Sequence, residues 1–128
     1  MEFTSSNKRY RVLTIFKQIE TAIYQLTEWN EMVASTDDYY LSDSGMQKLA
    51  ASCMLIEAIG ESINQIDQIT EGQLLSERPE IPWRDVIGMR NHIAHGYFDI
   101  DADVVLSVVK NDLAPLLKAV QFFIEALG

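Results

Sequence analysis

The sequence from residue 83 to residue 101 reads W-R-D-V-I-G-M-R-N-H-I-A-H-G-Y-F-D-I-D. It contains both histidines of the chain, an arginine, and a tyrosine directly after a glycine. Proline is favoured at the first position of a helix, and glycine commonly follows the last turn. Pro82 and Gly96 therefore predict a helix over residues 82–95.

Arg90 interrupts the apolar face of this predicted helix. The apolar residues recur at steps of three and four, which is helical spacing. They are Trp83, Val86, Ile87, Ile93 and Ala94. A cation on such a face needs an ion-pair partner, a polar cleft or a subunit interface. Asn91 and His95 are four residues apart and would share one edge of the helix, whereas Arg90 and His95 would lie roughly 140° apart around it.

Each of these side chains also has an ordinary structural interpretation. Arg90 could pair with a core carboxylate, and His95 could complement the negative end of the helix dipole. Tyr97 could cover the core with its amphipathic ring, and His92 most simply faces solvent. Together, however, they form a cluster within residues 90–97 that favours a functional site over four unrelated structural roles.

Two long helices are predicted before this segment. Residues 8–33 carry a bundle face formed by Val12, Phe16, Ile19, Ile23, Leu26 and Val33. Residues 45–69 carry a second face formed by Leu49, Cys53, Ile56, Ile59, Ile63 and Ile66. Both sets keep helical spacing. Residues 1–7 are polar and expected to be loose, and 35–44 are expected to be a loop whose Ser42, Asp43 or Ser44 caps the second helix.

The chain after residue 69 continues with helical signals. A polar connection over 70–81 has room for one helical turn at 71–76. Asp101 is a suitable cap for a last helix that extends to Leu127, and Pro115 predicts a kink or restart near Asp112. Strand-like alternation is essentially absent. The chain of 128 residues is therefore expected to be one domain, an all-α, up-and-down bundle of four to five helices.

Glu61 is a plausible counterion for Arg90. It follows Gly60, and a glycine on an apolar helix face is tolerated where another segment packs closely against it. Glu57 lies four residues before Glu61 and shares its face. The simpler interpretation of Glu57 is a solvated carboxylate.

Composition limits the partners and the location. A net charge of −9 argues against a general nucleic-acid binder. It does not exclude a small local site that binds one phosphate. Cys53 is the only cysteine, so no disulfide forms within the chain, and a reducing cytoplasm is expected. Cys53 itself is expected to be a buried small hydrophobe. Neither a transmembrane helix nor a signal peptide is expected.

The cluster at residues 90–97 suits phosphate chemistry better than metal chemistry. His92 and His95 are three apart, but no third ligand with helical spacing joins them, and no phosphate-binding loop, dinucleotide motif or nucleophile elbow is present. Arginine offers a forked donor to phosphate oxygens, and histidine moves protons near neutral pH. RNA carries its own 2′-OH nucleophile, so a proton-transfer group and a cation suffice for its cleavage. No metal and no cofactor are expected.

The segment P-E-I-P-W-R-D-V-I-G-M-R-N-H-I-A-H-G-Y-F-D-I-D, residues 79–101, resembles the HepT-like toxins of the HEPN superfamily. The motif R-x-x-x-x-H-x-Y preceded by I-P-W-R is the specific part of this resemblance. L-I-E-A-I-G-E-S upstream and N-D-L-A-P-L-L downstream support it, and the similarity extends from about Val12 to Leu127.

The resemblance implies an all-helical homodimer that acts as a metal-independent endoribonuclease toxin. Arg90 would stabilise the phosphate, His95 would act as general acid or base, and Asn91 would orient the substrate or His95. The partner would be a minimal nucleotidyltransferase antitoxin that transfers AMP to Tyr97. The added phosphate there would repel RNA and engage the arginine.

Two other hypotheses remain at this point. The chain could be a non-catalytic helical module that binds a nucleotidyltransferase, which suits its acidic surface. It could also be a purely structural homodimeric scaffold, which would be favoured if Arg90 were fully buried in a salt bridge with Glu61 and no cleft existed.

Overall fold

Helices make up the architecture of this protein. The structure is a computed structural model and describes residues 6–96 and 98–128. Its α-helices are α1 Ser6–Trp29, α2 Asp37–Tyr40, α3 Asp43–Ile69, α4 Trp83–Gly88, α5 Arg90–Ile93, α6 Ala102–Ser107 and α7 Leu113–Leu127. A 3₁₀ turn spans Leu75–Glu77, and a π-helical segment, Val108–Asp112, joins α6 to α7. Within these residues the chain forms no strand beyond an isolated bridge between Ala94 and Ile100.

The predicted all-α class is confirmed. The described residues contain seven α-helical segments instead of the predicted four to five. The helices expected over 82–95 and after Asp101 are each divided in two, and α2 forms within the predicted loop 35–44. Residues 1–5 lie outside the described part of the chain, so the prediction of a loose start stays untested there. Ser6 and Asn7 already belong to α1, which corrects that prediction at its end.

The first helix ends four residues earlier than predicted because Asn30 is buried in a hydrogen-bond network. Its amide nitrogen donates to the Leu26 carbonyl and to Ser52 Oγ, both at 2.9 Å. The Tyr39 hydroxyl donates to Asn30 Oδ1 at 2.7 Å. Tyr39 belongs to α2, a single turn within the predicted loop 35–44, and is fully buried. This network ties the end of α1 to α3 through side chains.

The second long helix, α3, begins at Asp43, where Ser42 Oγ accepts a hydrogen bond from the Gly45 N–H at 2.9 Å. Its predicted core face is buried throughout. A Cβ added to Gly60 would lie 2.9 Å from the Val86 carbonyl oxygen. The absence of a side chain at Gly60 therefore lets α4 cross α3 at backbone distance, as the sequence predicted.

Aromatic rings join α1, α4 and α7. Phe16 and Phe123 stack with ring centroids 5.0 Å apart, and the Trp83 ring lies 6.3 Å from Phe123. Trp83 Nε1 donates to the Arg78 carbonyl at 2.9 Å, and the Arg78 guanidinium lies 4.7 Å above the Phe122 ring. These contacts fix the connection before α4 against α7, so the start of α4 is held on two sides.

The remaining boundaries follow local backbone chemistry. The turn in the 70–81 connection falls at Leu75–Glu77, later than predicted, because Glu71 and Gly72 adopt φ values of 55° and 74° that break a helix. Asp101 caps α6 as predicted, accepting from the Val104 N–H at 3.1 Å. The π-helical segment ends three residues before Pro115, which has no N–H to donate. None of the helices in the described ranges is long and apolar enough to span a bilayer.

Gly60→Ala tests the close crossing of α3 and α4. The new methyl group would press on backbone, which has little freedom to move, so we expect a loss of about 1–3 kcal/mol in the free energy of unfolding. Gly88→Ala is the matched control, because nothing lies within 4 Å of its added Cβ. It should be neutral or stabilising by up to about 1 kcal/mol. Urea denaturation measures both, and equal effects would contradict the crossing.

Tyr39→Phe tests the buried network. It removes the donor to Asn30 Oδ1 and should cost about 1–3 kcal/mol, whereas Tyr40→Phe, at an exposed side chain, should change stability by less than about 0.5 kcal/mol. Burial raises the pKa of Tyr39 from 10.0 to about 12. The unfolded chain therefore loses this proton first, and the wild type should lose stability as the pH rises from 10 towards 12. Tyr39→Phe should lack that part of the alkaline loss.

Candidate active site

Arg90 begins α5 and forms an ion pair with Glu61 of α3. The pairing follows from the crossing at Gly60, which brings the end of α4 beside the next residue of α3. The two side chains are 56% and 52% exposed. An ion pair with this much exposure to water contributes at most about 1 kcal/mol to the free energy of unfolding. The pair leaves the guanidinium at the surface, open to solvent.

His95 lies beyond the end of the helix, which corrects the predicted helix over 82–95. The helix ends at Ile93, and Ala94 is extended with φ −158° and ψ 148°. His95 and Asn91 therefore do not share a helix edge. For the same reason, helical geometry does not hold His95 roughly 140° away from Arg90.

A short closed loop presents His95. The His95 N–H donates to the Asp99 carbonyl at 3.0 Å, and the Asp99 N–H donates to the Gly96 carbonyl at 3.2 Å. Gly96 has a φ of 115°, a backbone conformation that residues other than glycine rarely adopt. The Asp101 N–H closes the base of the loop with a 2.8 Å bond to the carbonyl of fully buried Ile93. The backbone of His95 is thus fixed while its side chain is exposed.

The other predicted site residues fall on both sides of the helix end. Asn91 and His92 follow Arg90 in α5 with exposed side chains, so His92 faces solvent as predicted. Tyr97, the predicted modification site, lies outside the described residues. Phe98, directly after it, is 97% exposed.

The sequence interpretation missed a pocket beside this loop. It has a volume of about 520 Å³, and residues of α3 line it together with Ala94, Gly96 and Ile100. One of the α3 residues is Glu57, which is half-buried and accepts a hydrogen bond from Cys53 Sγ at 3.7 Å. The expectation of a solvated Glu57 was therefore wrong. The sequence did contain a signal for this environment of Glu57. Cys53, Glu57 and Glu61 are spaced four residues apart, which puts all three on the side of α3 that faces residues 90–97.

Cys53 behaves as the buried small residue that was predicted. Burial, and to a lesser degree the neighbouring Glu57 carboxylate, raises the pKa of its thiol from 9.0 to about 11. At neutral pH the thiolate needed for nucleophilic attack is therefore scarce. In residues 6–96 and 98–128, no three His, Cys, Asp or Glu side chains are grouped as a metal site requires. The exposed polar side chains at this end of the molecule are the paired Arg90 and Glu61, Asn91 and the two histidines.

Comparisons with known proteins agree on one family. The family model described as Ribonuclease HepT-like matches residues 19–123. "Probable ribonuclease HepT" of Thermococcus cleftensis is 31% identical over 100 residues, which cover 78% of this chain and 84% of that protein. "Putative RNase MJ1380" of Methanocaldococcus jannaschii is 25% identical over 108 residues, which cover 82% of this chain and 95% of that protein. No solved structure matches the chain significantly.

The matched range contains the whole of α3, the Arg90–Glu61 pair and the His95 loop. The resemblance predicted from the R-x-x-x-x-H-x-Y motif is therefore confirmed at the level of the family. The chain belongs to the HepT-like ribonuclease family.

Proposed function

We propose that this chain is the toxin subunit of a toxin–antitoxin pair and that it cleaves RNA without a metal ion. One group removes the proton from the ribose 2′-OH, and the freed oxygen attacks the adjacent phosphorus. The P–O bond to the next nucleotide breaks, and its 5′-oxygen takes up a proton. The products carry a 2′,3′-cyclic phosphate and a 5′-OH.

Arg90 and His95 are the residues that we assign to this reaction. Arg90 stabilises the negative charge that builds up on the phosphate oxygens, and His95 is the general acid or base. Asn91 positions the RNA or the imidazole. The observation that carries the proposal is the exposed side chain of Arg90, which pairs with Glu61 and lies five residues before the exposed His95 in the sequence. A phosphate that binds there competes with Glu61 for the guanidinium.

We further propose that the active form is a homodimer. The reaction needs one group to accept a proton and another to donate one, and the assignment above gives each chain one such group, His95. Two copies that share a cleft supply both groups. Exposed apolar side chains support such an interface, since Phe98 is 97% and Met54 66% exposed. Met54 also lines the pocket beside the His95 loop.

The proposed antitoxin is a cognate minimal nucleotidyltransferase that transfers AMP to the Tyr97 hydroxyl. Tyr97 lies two residues after His95 in the sequence. A phosphodiester at that position carries negative charge, which would repel RNA and attract Arg90. Modification would thus inactivate the site without unfolding the protein.

His95→Ala and Arg90→Ala should abolish RNA cleavage measured in excess EDTA, with cleavage by the wild type leaving 2′,3′-cyclic phosphate ends. We expect losses of at least about 100-fold, the usual contribution of one proton-transfer or charge-stabilising group. His92→Ala is the matched control, because His92 is another exposed histidine of the same segment. It should retain activity, because His92 has no role in the proposed reaction. Arg90→Ala should change the free energy of unfolding by less than about 1 kcal/mol, because its ion pair is half exposed.

Two outcomes would count against this assignment. Unchanged cleavage in both variants would remove Arg90 and His95 from the reaction. No cleavage by unmodified wild type, together with tight binding of a nucleotidyltransferase, would favour the non-catalytic binding module. The net charge of −9 is the observation that supports this alternative.

Tyr97→Phe tests the proposed regulation. Incubation of the wild type with the cognate nucleotidyltransferase and ATP should add adenylyl groups, seen by intact mass, and should end RNA cleavage. Tyr97→Phe should gain no mass and should stay active under the same conditions, because the acceptor oxygen is gone. Tyr40→Phe is the control, since Tyr40 is an exposed tyrosine elsewhere on the surface. Modification that persists in Tyr97→Phe would contradict the assignment.

A further inference from the structure

The positive charge of this acidic protein is concentrated at the start of α1. Residues 6–19 contain Lys8, Arg9, Arg11 and Lys17 and no Asp or Glu. This stretch therefore carries +4, and the rest of the chain carries −13. Arg9 has a structural role, because its Nε donates to the Leu127 carbonyl at 2.8 Å at the end of α7. Arg11 and Lys17 are exposed, and neither forms an ion pair with a described residue.

A groove between α1 and α3 runs beside these cations. Its volume is about 610 Å³, and Lys17 lines it together with the polar side chains of Thr14, Gln18 and Ser62. Arg11 lies seven residues before Gln18, about two helical turns away on the same side of α1. Among residues 6–96 and 98–128, no carboxylate lines this groove.

The other described pockets have the opposite character. The pocket of about 600 Å³ next to α4 and α6 is lined by Glu80, Asp85, Asp103 and Asp112, and the pocket beside the His95 loop contains Glu57. A polyanion would be repelled by both. Of these three pockets, the groove between α1 and α3 is the one whose charge suits a polyanion.

Two further features point to a nucleic acid in particular. Tyr10 lines the groove and is 71% exposed, between Arg9 and Arg11 in the sequence. Exposed aromatic rings beside cations are how proteins hold single-stranded nucleic acid, since bases stack on the ring while the cations contact phosphates. Ser62 of the groove directly follows Glu61, the partner of Arg90, so the groove reaches the same turn of α3 as the candidate active site, on a different face of the helix.

We propose that the groove between α1 and α3 binds the backbone of single-stranded RNA away from the scissile bond. Arg11 and Lys17 contact phosphates, and Tyr10 stacks on a base. The choice of RNA as the polyanion rests on the proposed function. The cations beside the groove would attract the RNA backbone locally, although the net charge of the protein repels polyanions.

Binding can be tested separately from cleavage with a fluorescent single-stranded 2′-O-methyl RNA, which lacks the nucleophile. We expect Arg11→Glu/Lys17→Glu to weaken binding in fluorescence anisotropy by at least about tenfold, because two phosphate contacts become repulsive. The slope of log affinity against log salt should become shallower by about 1.4, or 0.7 for each phosphate contact to a single strand. Tyr10→Ala should lose about fivefold or more, and Tyr10→Phe should keep the wild-type affinity.

Lys110→Glu/Lys118→Glu is the matched control. Both lysines are exposed, neither lines the groove, and the change in net charge is the same. This variant should bind the RNA within about twofold of the wild type, because its changes lie outside the proposed contacts. Unfolding curves of all variants should overlay, since the altered side chains are exposed. If folding of the Glu variant is impaired, Arg11→Ala/Lys17→Ala replaces it and should still weaken binding.

A dinucleotide substrate separates this proposal from the proposed catalysis. Its only internucleotide phosphate is the scissile one, which leaves no further backbone for the groove to bind. Arg11→Glu/Lys17→Glu should therefore cleave it at the wild-type rate, whereas His95→Ala should not. Unchanged RNA affinity in the groove variants, or an equal loss in the lysine control, would overturn the groove proposal alone. Loss of nucleotidyltransferase binding with intact RNA binding would assign the surface to the protein partner and would also overturn it. A wild type that binds RNA through the groove but cleaves neither substrate would instead reject the proposed catalysis.

Discussion

The close approach of α4 to α3 at Gly60 determines where the candidate site lies. A side chain at this position would collide with the Val86 carbonyl, so α4 could not reach its observed depth. The next residue of α3, Glu61, then meets Arg90. Trp83 secures the other end of α4 through its ring contact with Phe123 and its bond to the Arg78 carbonyl. The position of the arginine is therefore a consequence of core packing, although the arginine itself is exposed.

The early end of the helix at Ile93 gives the site its second component. Ile93 is fully buried, and its carbonyl accepts the hydrogen bond that closes the following loop. The loop holds the His95 backbone through Asp99 and leaves the imidazole in solvent. A rigid helix thus carries the cation and a short closed loop carries the titratable group. In the proposed reaction, the helix would carry the group that binds the phosphate and the loop the group that moves a proton.

Charge is distributed so that most of the surface rejects a polyanion. The pocket near α4 and α6 is lined by four carboxylates, and the pocket near the His95 loop contains Glu57. The cations cluster at the start of α1 and at Arg90. A nuclease with this pattern would bind RNA in few orientations and with a strong dependence on salt. Arg90 pairs with Glu61 but is half exposed, so the full burial that would have favoured a purely structural scaffold is not observed.

Helical periodicity alone determined the all-α class, the core faces of α1 and α3, and the cap at Asp101. Those features depend on local spacing, which the sequence displays directly. The motif with Arg90 and His95 determined the family.

The sequence did not predict the single turn α2. Tyr39 of this turn is buried and donates a hydrogen bond to Asn30, which in turn bonds to Ser52. Local spacing cannot show such a network, because Ser52 is far from both residues in the sequence. The sequence also placed His95 on a helix, since nothing in the local spacing indicated that the bridge between Ala94 and Ile100 would replace the last helical turn. The half-buried Glu57 and the groove between α1 and α3 were likewise decided by packing, because each requires two segments that only the tertiary structure brings together.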